Sequence, residues 1–144
     1  MNLAATREIA RPAAEVFAFF SDASNNPLWQ KGQRSCVWTT PPPIGVGSVY
    51  DQEARFLGRR VLNRFEVVEF RPGSEITIQS IEGSFPIRVR RSVEPIGPDG
   101  CRVIADISGE PAGFFRLASK PLQRFAQRSV DADYDRLKQL LESS

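Results

Sequence analysis

Residues 49–65 read VYDQEARFLGRRVLNRF, two β-prone runs that meet at Leu57-Gly58. With that dipeptide as the loop of a hairpin, Tyr50 faces Phe65, Gln52 faces Asn63 and Ala54 faces Val61 on one side, while Asp51 faces Arg64 on the other. The first side is mostly apolar and is therefore the inner one. Gln52 and Asn63 then stand together in a greasy wall, where an amide without a partner costs about 1–3 kcal/mol. They either satisfy each other, directly or through water, or wait for a ligand.

The same punctuation extends in both directions. Short β-rich runs at 48–56, 59–70, 75–82, 85–95 and 101–108 are separated by Gly and Pro, and earlier runs at 3–10 and 34–40 end at Arg11-Pro12 and at Pro41-Pro42-Pro43. Successive hairpins predict one antiparallel sheet of about seven strands. Between the first two strands, Ala13, Val16, Phe17 and Phe20 recur at helical spacing, and Asn25-Asn26-Pro27 turns or caps the chain into Leu28-Trp29, giving two short helical pieces. Residues 112–142 carry Leu122, Phe125, Ala126, Val130, Tyr134, Leu137, Leu140 and Leu141 on one helical stripe. Pro121 either kinks this helix or stands in its first turn, with Ser119 and Lys120 at the cap. An α+β fold follows, residues 1–144 forming a single domain whose long C-terminal helix buries its stripe on the sheet.

Composition narrows the chemistry. The 144 residues contain 0 histidines, which removes Ser-His-Asp and Cys-His nucleophiles, His-ligated metals and the usual neutral-pH proton shuttle. Cys36 and Cys101 have no C-x-x-C partner, so neither a redox motif nor a metal knuckle is present, and buried thiols are expected. No cofactor motif survives inspection: Gly45-Val46-Gly47 is followed by Tyr50 where a dinucleotide fingerprint needs glycine. No apolar run approaches the roughly 18 residues of a membrane span, and the N-terminus lacks a leader pattern, so the expected address is the cytoplasm. Residues 1–111 hold 13 bases and 13 acids. The whole excess of +2 therefore lies in the last segment, where Arg116, Lys120, Arg124 and Arg128 make one ridge on a helix. That ridge is either a solvated face or a weak contact for an anionic surface. Bases elsewhere alternate with acids and no aromatic stacking platform accompanies them, so no nucleic-acid partner is expected.

Several segments together resemble the SRPBCC or START-like superfamily, in its polyketide cyclase/dehydrase-like branch. They are the opening strand running into Arg11-Pro12-Ala13-Ala14-Glu15-Val16-Phe17, Asp22 followed by Pro27-Leu28-Trp29, Ile44-Gly45-Val46-Gly47-Ser48, Phe65 to Gly73, Gly100-Cys101-Arg102-Val103, and the closing Leu137 to Glu142. The resemblance implies a helix-grip fold, a curved sheet wrapped around the C-terminal helix. It also implies a mostly apolar cavity for lipids, polyketides, sterols or similar molecules. No invariant catalytic set comes with the family. The resemblance also puts Trp29, and less clearly Trp38, at the cavity mouth, where an indole would be a flat contact for a ring; a core or rim aromatic is the plainer alternative.

One charged residue falls on an inner row. Centring the next hairpin on Gly83-Ser84 sets Ile76, Ile78 and Ser80 against Arg91, Val89 and Ile87. A guanidinium there demands an anion. The favoured one is Asp106, which pairs with position 91 if the following turn is centred within Gly97–Gly100; a ligand carboxylate or enolate is the alternative. The expected pocket lining is thus Trp29, Tyr50, Gln52, Asn63, Phe65, Ile78, Ser80, Ile87, Val89, Arg91 and Phe125. The leading reading is a protein that binds, sequesters or transports a small hydrophobic molecule, with no catalytic residues assigned. The rival is a histidine-free cyclase or dehydratase in the same cavity, with Tyr50 and Arg91 as donors.

Overall fold

The computed structural model describes residues 2–83, 86–109 and 119–144, with backbone only for Phe56 and Ser119. Seven strands form one antiparallel sheet: β1 (Asn2–Ile9), β2 (Gln33–Trp38), β3 (Val49–Phe56), β4 (Arg59–Arg71), β5 (Glu75–Gly83), β6 (Ile87–Pro95) and β7 (Cys101–Gly109). Their order is β1-β7-β6-β5-β4-β3-β2, a meander whose first strand returns to flank the last. Between β1 and β2 lie α1 (Ala13–Ser21), a 3-10 turn (Ala23–Asn25) and α2 (Asn26–Trp29); α3 (Ser119–Glu142) closes the chain. Pro121 stands in the first turn of α3, where its missing N–H costs nothing. The expected helical residues 112–118, with Phe114, Phe115 and Arg116, and the strand residue Phe85 fall outside the described residues.

The β3–β4 register is the expected one, with Tyr50 opposite Phe65, Gln52 opposite Asn63 and Asp51 opposite Arg64. The two-residue loop dictates it, since Leu57 (φ 52°) and Gly58 (φ 74°) both take the left-handed conformation that this tight hairpin requires. β5 and β6 also pair as expected, Ile76 with Arg91 and Ile78 with Val89. The β6–β7 register is different. Arg91 pairs with Ala105, and Asp106 pairs with Arg90 on the outer face. Five residues, 96–100, make that loop, closed by Ile96 N–H donating to Gly100 O at 2.8 Å. The odd loop length shifts the pairing by one residue, so Asp106 is not the partner of Arg91.

The sheet is curled. β4 runs for 13 residues and its pairing with β5 slips twice, between Arg64 and Phe65 and between Val67 and Glu69; such bulges bend and twist a strand. The concave face holds the core, including Ile9, Val67, Val93, Cys101 and Val103, against α1 and the buried stripe of α3, with Tyr134, Leu137 and Leu141. α3 also closes the free edge of β1. The Gln127 amide accepts from Ala4 N–H and donates to Ala4 O at 2.7 Å, Lys138 Nζ donates to Glu8 O at 2.6 Å, and Ala10 N–H donates to Glu142 Oε2 at 2.8 Å. Side chains thus occupy backbone groups that an edge strand would offer to another chain.

Leu57 is the one described non-glycine residue with positive φ. A left-handed conformation costs a leucine about 1–2 kcal/mol and asparagine less. Leu57→Asn is therefore expected to raise the free energy of unfolding by about 1 kcal/mol, read as a higher urea midpoint at unchanged slope. A lower midpoint would mean that Leu57 makes packing contacts worth more than its strain.

Candidate functional site

Side chains from five elements meet beneath α3: Arg91 of β6, Tyr50 of β3, Cys36 of β2, Asn26 and Trp29 of α2, and Tyr134 of α3. Arg91 is 7% exposed. Its Nε donates to Tyr134 Oη at 2.7 Å, and its guanidinium carbon lies 5.1 Å from the centre of the Trp29 ring. Trp29 is fully buried and meets Tyr134 edge to face at 5.0 Å; Tyr50 stacks on Phe65 at 5.3 Å. Burial pushes the Arg91 pKa down, but the attraction of the Tyr134 and Tyr50 oxygens outweighs it and holds the guanidinium charged. Among the described residues no carboxylate forms an ion pair with Arg91; its charge acts on Asp133 only as a weak downward pull. A buried cation here rests on neutral oxygens and an aromatic face.

The group is not fully satisfied. Asn26 Oδ1 and Trp29 Nε1 are buried with no hydrogen-bond partner. A hole of about 10 Å³ lies between Asn26, Trp38, Tyr50, Ile78 and Arg91, about the space that one water needs. Trp38 borders it and is held by a hydrogen bond from its Nε1 to Asp22 Oδ1 at 2.9 Å. Two larger hollows, of about 460 and 570 Å³, lie over the outer face. Most of their charges are already paired across strands, as in Arg64 with Asp51 at 2.7 Å and Arg88 with Glu69 at 2.9 Å, so we place the candidate site inside.

The inner face is sealed unevenly. At the end where α1 and the last turns of α3 lie, Ile9, Val67, Val93, Cys101 and Val103 are buried. Towards the other end the inward Gln52, Ala54, Ser80, Ile87 and Ile107 are only partly buried. Gly83 pairs with Asn63 at this end, and a side chain at Gly83 would collide with Leu62 O and the Asn63 side chain. Of the expected lining, Tyr50, Asn63, Phe65, Ile78, Val89 and Arg91 are buried on the inner face, and the partly buried Gln52, Ser80 and Ile87 continue it towards the other end. Ser80 Oγ is engaged by Ile87 N–H at 2.8 Å. Trp29 is in the core, the plainer of the two alternatives, where α2 places it under Tyr134; Phe125, expected in the lining, is 49% exposed although it keeps the helical spacing. Asn26, Cys36 and Tyr134 were not singled out in the sequence. The available signal for Tyr134 was a hydroxyl in a stripe otherwise built of Leu, Ala, Val and Phe.

No group of three or more Cys, Asp or Glu is placed to hold a metal ion among the described residues. Burial pushes the Cys36 thiol up to about 11, against the smaller opposing effects of Asn26 and Arg91, and raises Cys101, Tyr50 and Tyr134 as well. All four groups are acids held in their neutral form.

Removing the Tyr134 hydroxyl leaves a buried guanidinium without its hydrogen bond, a loss of about 1.5–3 kcal/mol for a bond to a charged group. Tyr134→Phe is expected to lower the unfolding free energy by that amount in urea titrations, and a change below about 0.5 kcal/mol would show water taking over the bond. The raised thiol also sets an alkaline limit. Its folded pKa lies above its unfolded value of 9.0, so the unfolded chain gives up the proton first, and stability should fall as pH rises from about 9 to about 11. Urea midpoints across that range test this, and Cys36→Ala should flatten the fall.

Comparison with known proteins agrees with this architecture. The family model described as polyketide cyclase/dehydrase and lipid transport matches residues 1–142. A crystal structure of TTHA0849 from Thermus thermophilus is similar over 100% of both chains, with a TM-score of 0.85 and 23% identity. The Zhui aromatase/cyclase of a Streptomyces species superposes over 99% of this chain and 93% of its own, with a TM-score of 0.79 and 13% identity. A START superfamily protein from Mycobacterium smegmatis does so over 96% and 98%, with a TM-score of 0.71 and 22% identity. Among curated proteins none matches. At these identities the structural likenesses speak for the fold alone, while the family model covers nearly every residue. The chain belongs to the polyketide cyclase/dehydrase and lipid transport family, and it has the START-like helix-grip fold.

Proposed function

We propose that the chain binds a small hydrophobic molecule between the sheet and α3, with the molecule's one polar group, a carboxylate or enolate oxygen, held against Arg91. The observation that carries this reading is a buried guanidinium that pairs with no carboxylate among the described residues and borders a hole of one water's size. The ligand's anionic oxygen would take the place of that water. Its apolar part would lie along Phe65, Ile78 and Val89 towards Gln52, Asn63, Ser80 and Ile87, where the inner face is incompletely covered. The family's description, which joins lipid transport to cyclase and dehydrase chemistry, is consistent with such a cargo. Carriage is the first reading, because burial raises both tyrosines and leaves neither as a base near neutral pH.

The second reading, a cyclase or dehydratase, is favoured by one feature. A phenol hydrogen-bonded to a guanidinium is a proton donor placed beside the position proposed for an enolate oxygen. Native mass spectrometry of protein purified from its source separates the two readings. A retained molecule that is unchanged on incubation supports carriage, and loss of water from it supports dehydration.

The anchor is tested with a long-chain fatty acid and the alcohol of the same length. Wild type should prefer the acid by about tenfold or more, the worth of one charge-assisted hydrogen bond. Arg91→Met should bind both alike while remaining folded, since an apolar side chain of similar volume removes a buried charge without leaving a partner charge behind. Equal affinity of wild type for acid and alcohol would overturn the assignment.

A further inference from the structure

Positive charge and exposed apolar side chains collect at the end of the molecule that carries the Leu57-Gly58 turn. Register shows which residues share that end. The Leu57-Gly58 turn closes β3 and β4 there, Arg55 N–H donates to Gly32 O at 2.8 Å, Asn63 pairs with Gly83, and Asn2 pairs with Ser108. Gln127 bonds to Ala4, so the first turns of α3 lie at the same end. On the strand rim Lys31, Arg55, Arg59 and Arg60 are exposed. On α3, Lys120, Arg124 and Arg128 stand four residues apart and are exposed as well. Facing this excess are Glu53, which neutralises Arg60; Glu82 and Asp51, which share Arg64; and the exposed Asp106 opposite Ala4. The opposite end mixes signs, with Glu8, Glu94 and Asp99 beside Arg71 and Arg102.

At the tip of this basic rim stands Leu57, 50% exposed and in the left-handed conformation. Asparagine or glycine would hold the same turn with less strain and better hydration. Leu62 and Ile81, 47% and 51% exposed, lie on the strands behind it. An exposed apolar side chain kept at a strained position points to a partner that covers it. A nucleic acid or an acidic protein face would satisfy the bases and leave Leu57 in water. A lipid surface offers phosphates to the bases and an apolar layer to the leucine.

We infer that this end docks on an anionic lipid surface, with Leu57 entering the headgroup layer and the strand-rim arginines and the α3 ridge lying against lipid phosphates. The inference stands on the rim alone, whether or not the interior takes a ligand. The test is cosedimentation of the full chain with vesicles of phosphatidylcholine and with vesicles of equal parts phosphatidylcholine and phosphatidylglycerol, at low and at near-molar salt. Wild type should bind the mixed vesicles at low salt, release from them at near-molar salt, and ignore the neutral ones. Leu57→Asn, which keeps or raises stability, should weaken binding by about five- to tenfold, and the triple variant Lys120→Gln, Arg124→Gln, Arg128→Gln should abolish it. No binding to mixed vesicles at low salt overturns the inference. So does a Leu57→Asn protein that binds as wild type does, because the surface would then be reading charge alone.

Discussion

A guanidinium that keeps its charge at any ordinary pH sits between the sheet and the long helix, and much of the interior is arranged around it. Taking Arg91 out of water costs several kcal/mol, roughly, unless hydrogen bonds and favourable fields replace its hydration. The replacement comes from the helix side, as the Tyr134 hydroxyl and the face of Trp29. Trp29 can be there only because α2 places it, and α2 is itself held by α3: Arg136 Nη1 donates to Trp29 O at 2.8 Å and to Asp133 Oδ1 at 3.0 Å. Asp133 Oδ1 in turn accepts from Lys31 N–H at 3.2 Å. Less than two turns of helix, Asp133 to Leu137, thus join α2, β6 and the core. A cation that looks like a local liability couples three elements that are distant in sequence.

The same helix explains why, among the described residues, the interior is packed most fully at one end. α3 follows β1 with side chains that take up the backbone groups of Ala4, Glu8 and Ala10, so its position along that strand is set residue by residue. Its buried stripe, ending in Leu137 and Leu141, fills the concavity at the α1 end, where Phe17 and Phe20 meet edge to face and Phe17 also reaches Phe70. The two slips in β4 bend the sheet along its length. Towards the other end small and polar residues, Ala54, Gln52 and Ser80, alternate with apolar ones such as Val61 and Ile87 on the inner face. Packing density follows from where the large apolar residues fall along the same strands.

Much of this was legible in the sequence, and the parts that were not share a physical reason. The Leu57-Gly58 loop has two residues and admits one register, so Gln52 beside Asn63 could be read directly. The loop from 96 to 100 has five residues and admits more than one. Alternation along β7 carried the correction: Cys101, Val103, Ala105 and Ile107 are apolar and inward, which assigns Asp106 to the outer face beside Arg90. A register pairing Arg91 with Asp106 would have turned that apolar row towards solvent. The choice between mouth and core for Trp29 stayed open for a different reason. Its depth depends on how α2 packs under α3, a contact between residues about a hundred positions apart that no local pattern encodes. The Arg91–Tyr134 bond was hidden likewise, since periodicity gives the face of a helix and not what that face meets.

The absence of histidine acquires its meaning at this centre. The groups gathered here are an arginine, two tyrosines, a cysteine and an asparagine, and burial moves every one of the acidic members away from neutrality. The local charge is therefore the same across the neutral range: one positive charge, with neutral donors and acceptors around it. A histidine in the place of Tyr134 would have made that charge depend on pH near 6.5 and would have set two cations against each other once protonated. If the centre holds the anionic group proposed above, a constant field means that discrimination rests on the charge the ligand itself brings. Any dependence of binding on pH in this range would then belong to the ligand's own acid group and run in one direction, towards tighter binding as that group ionises.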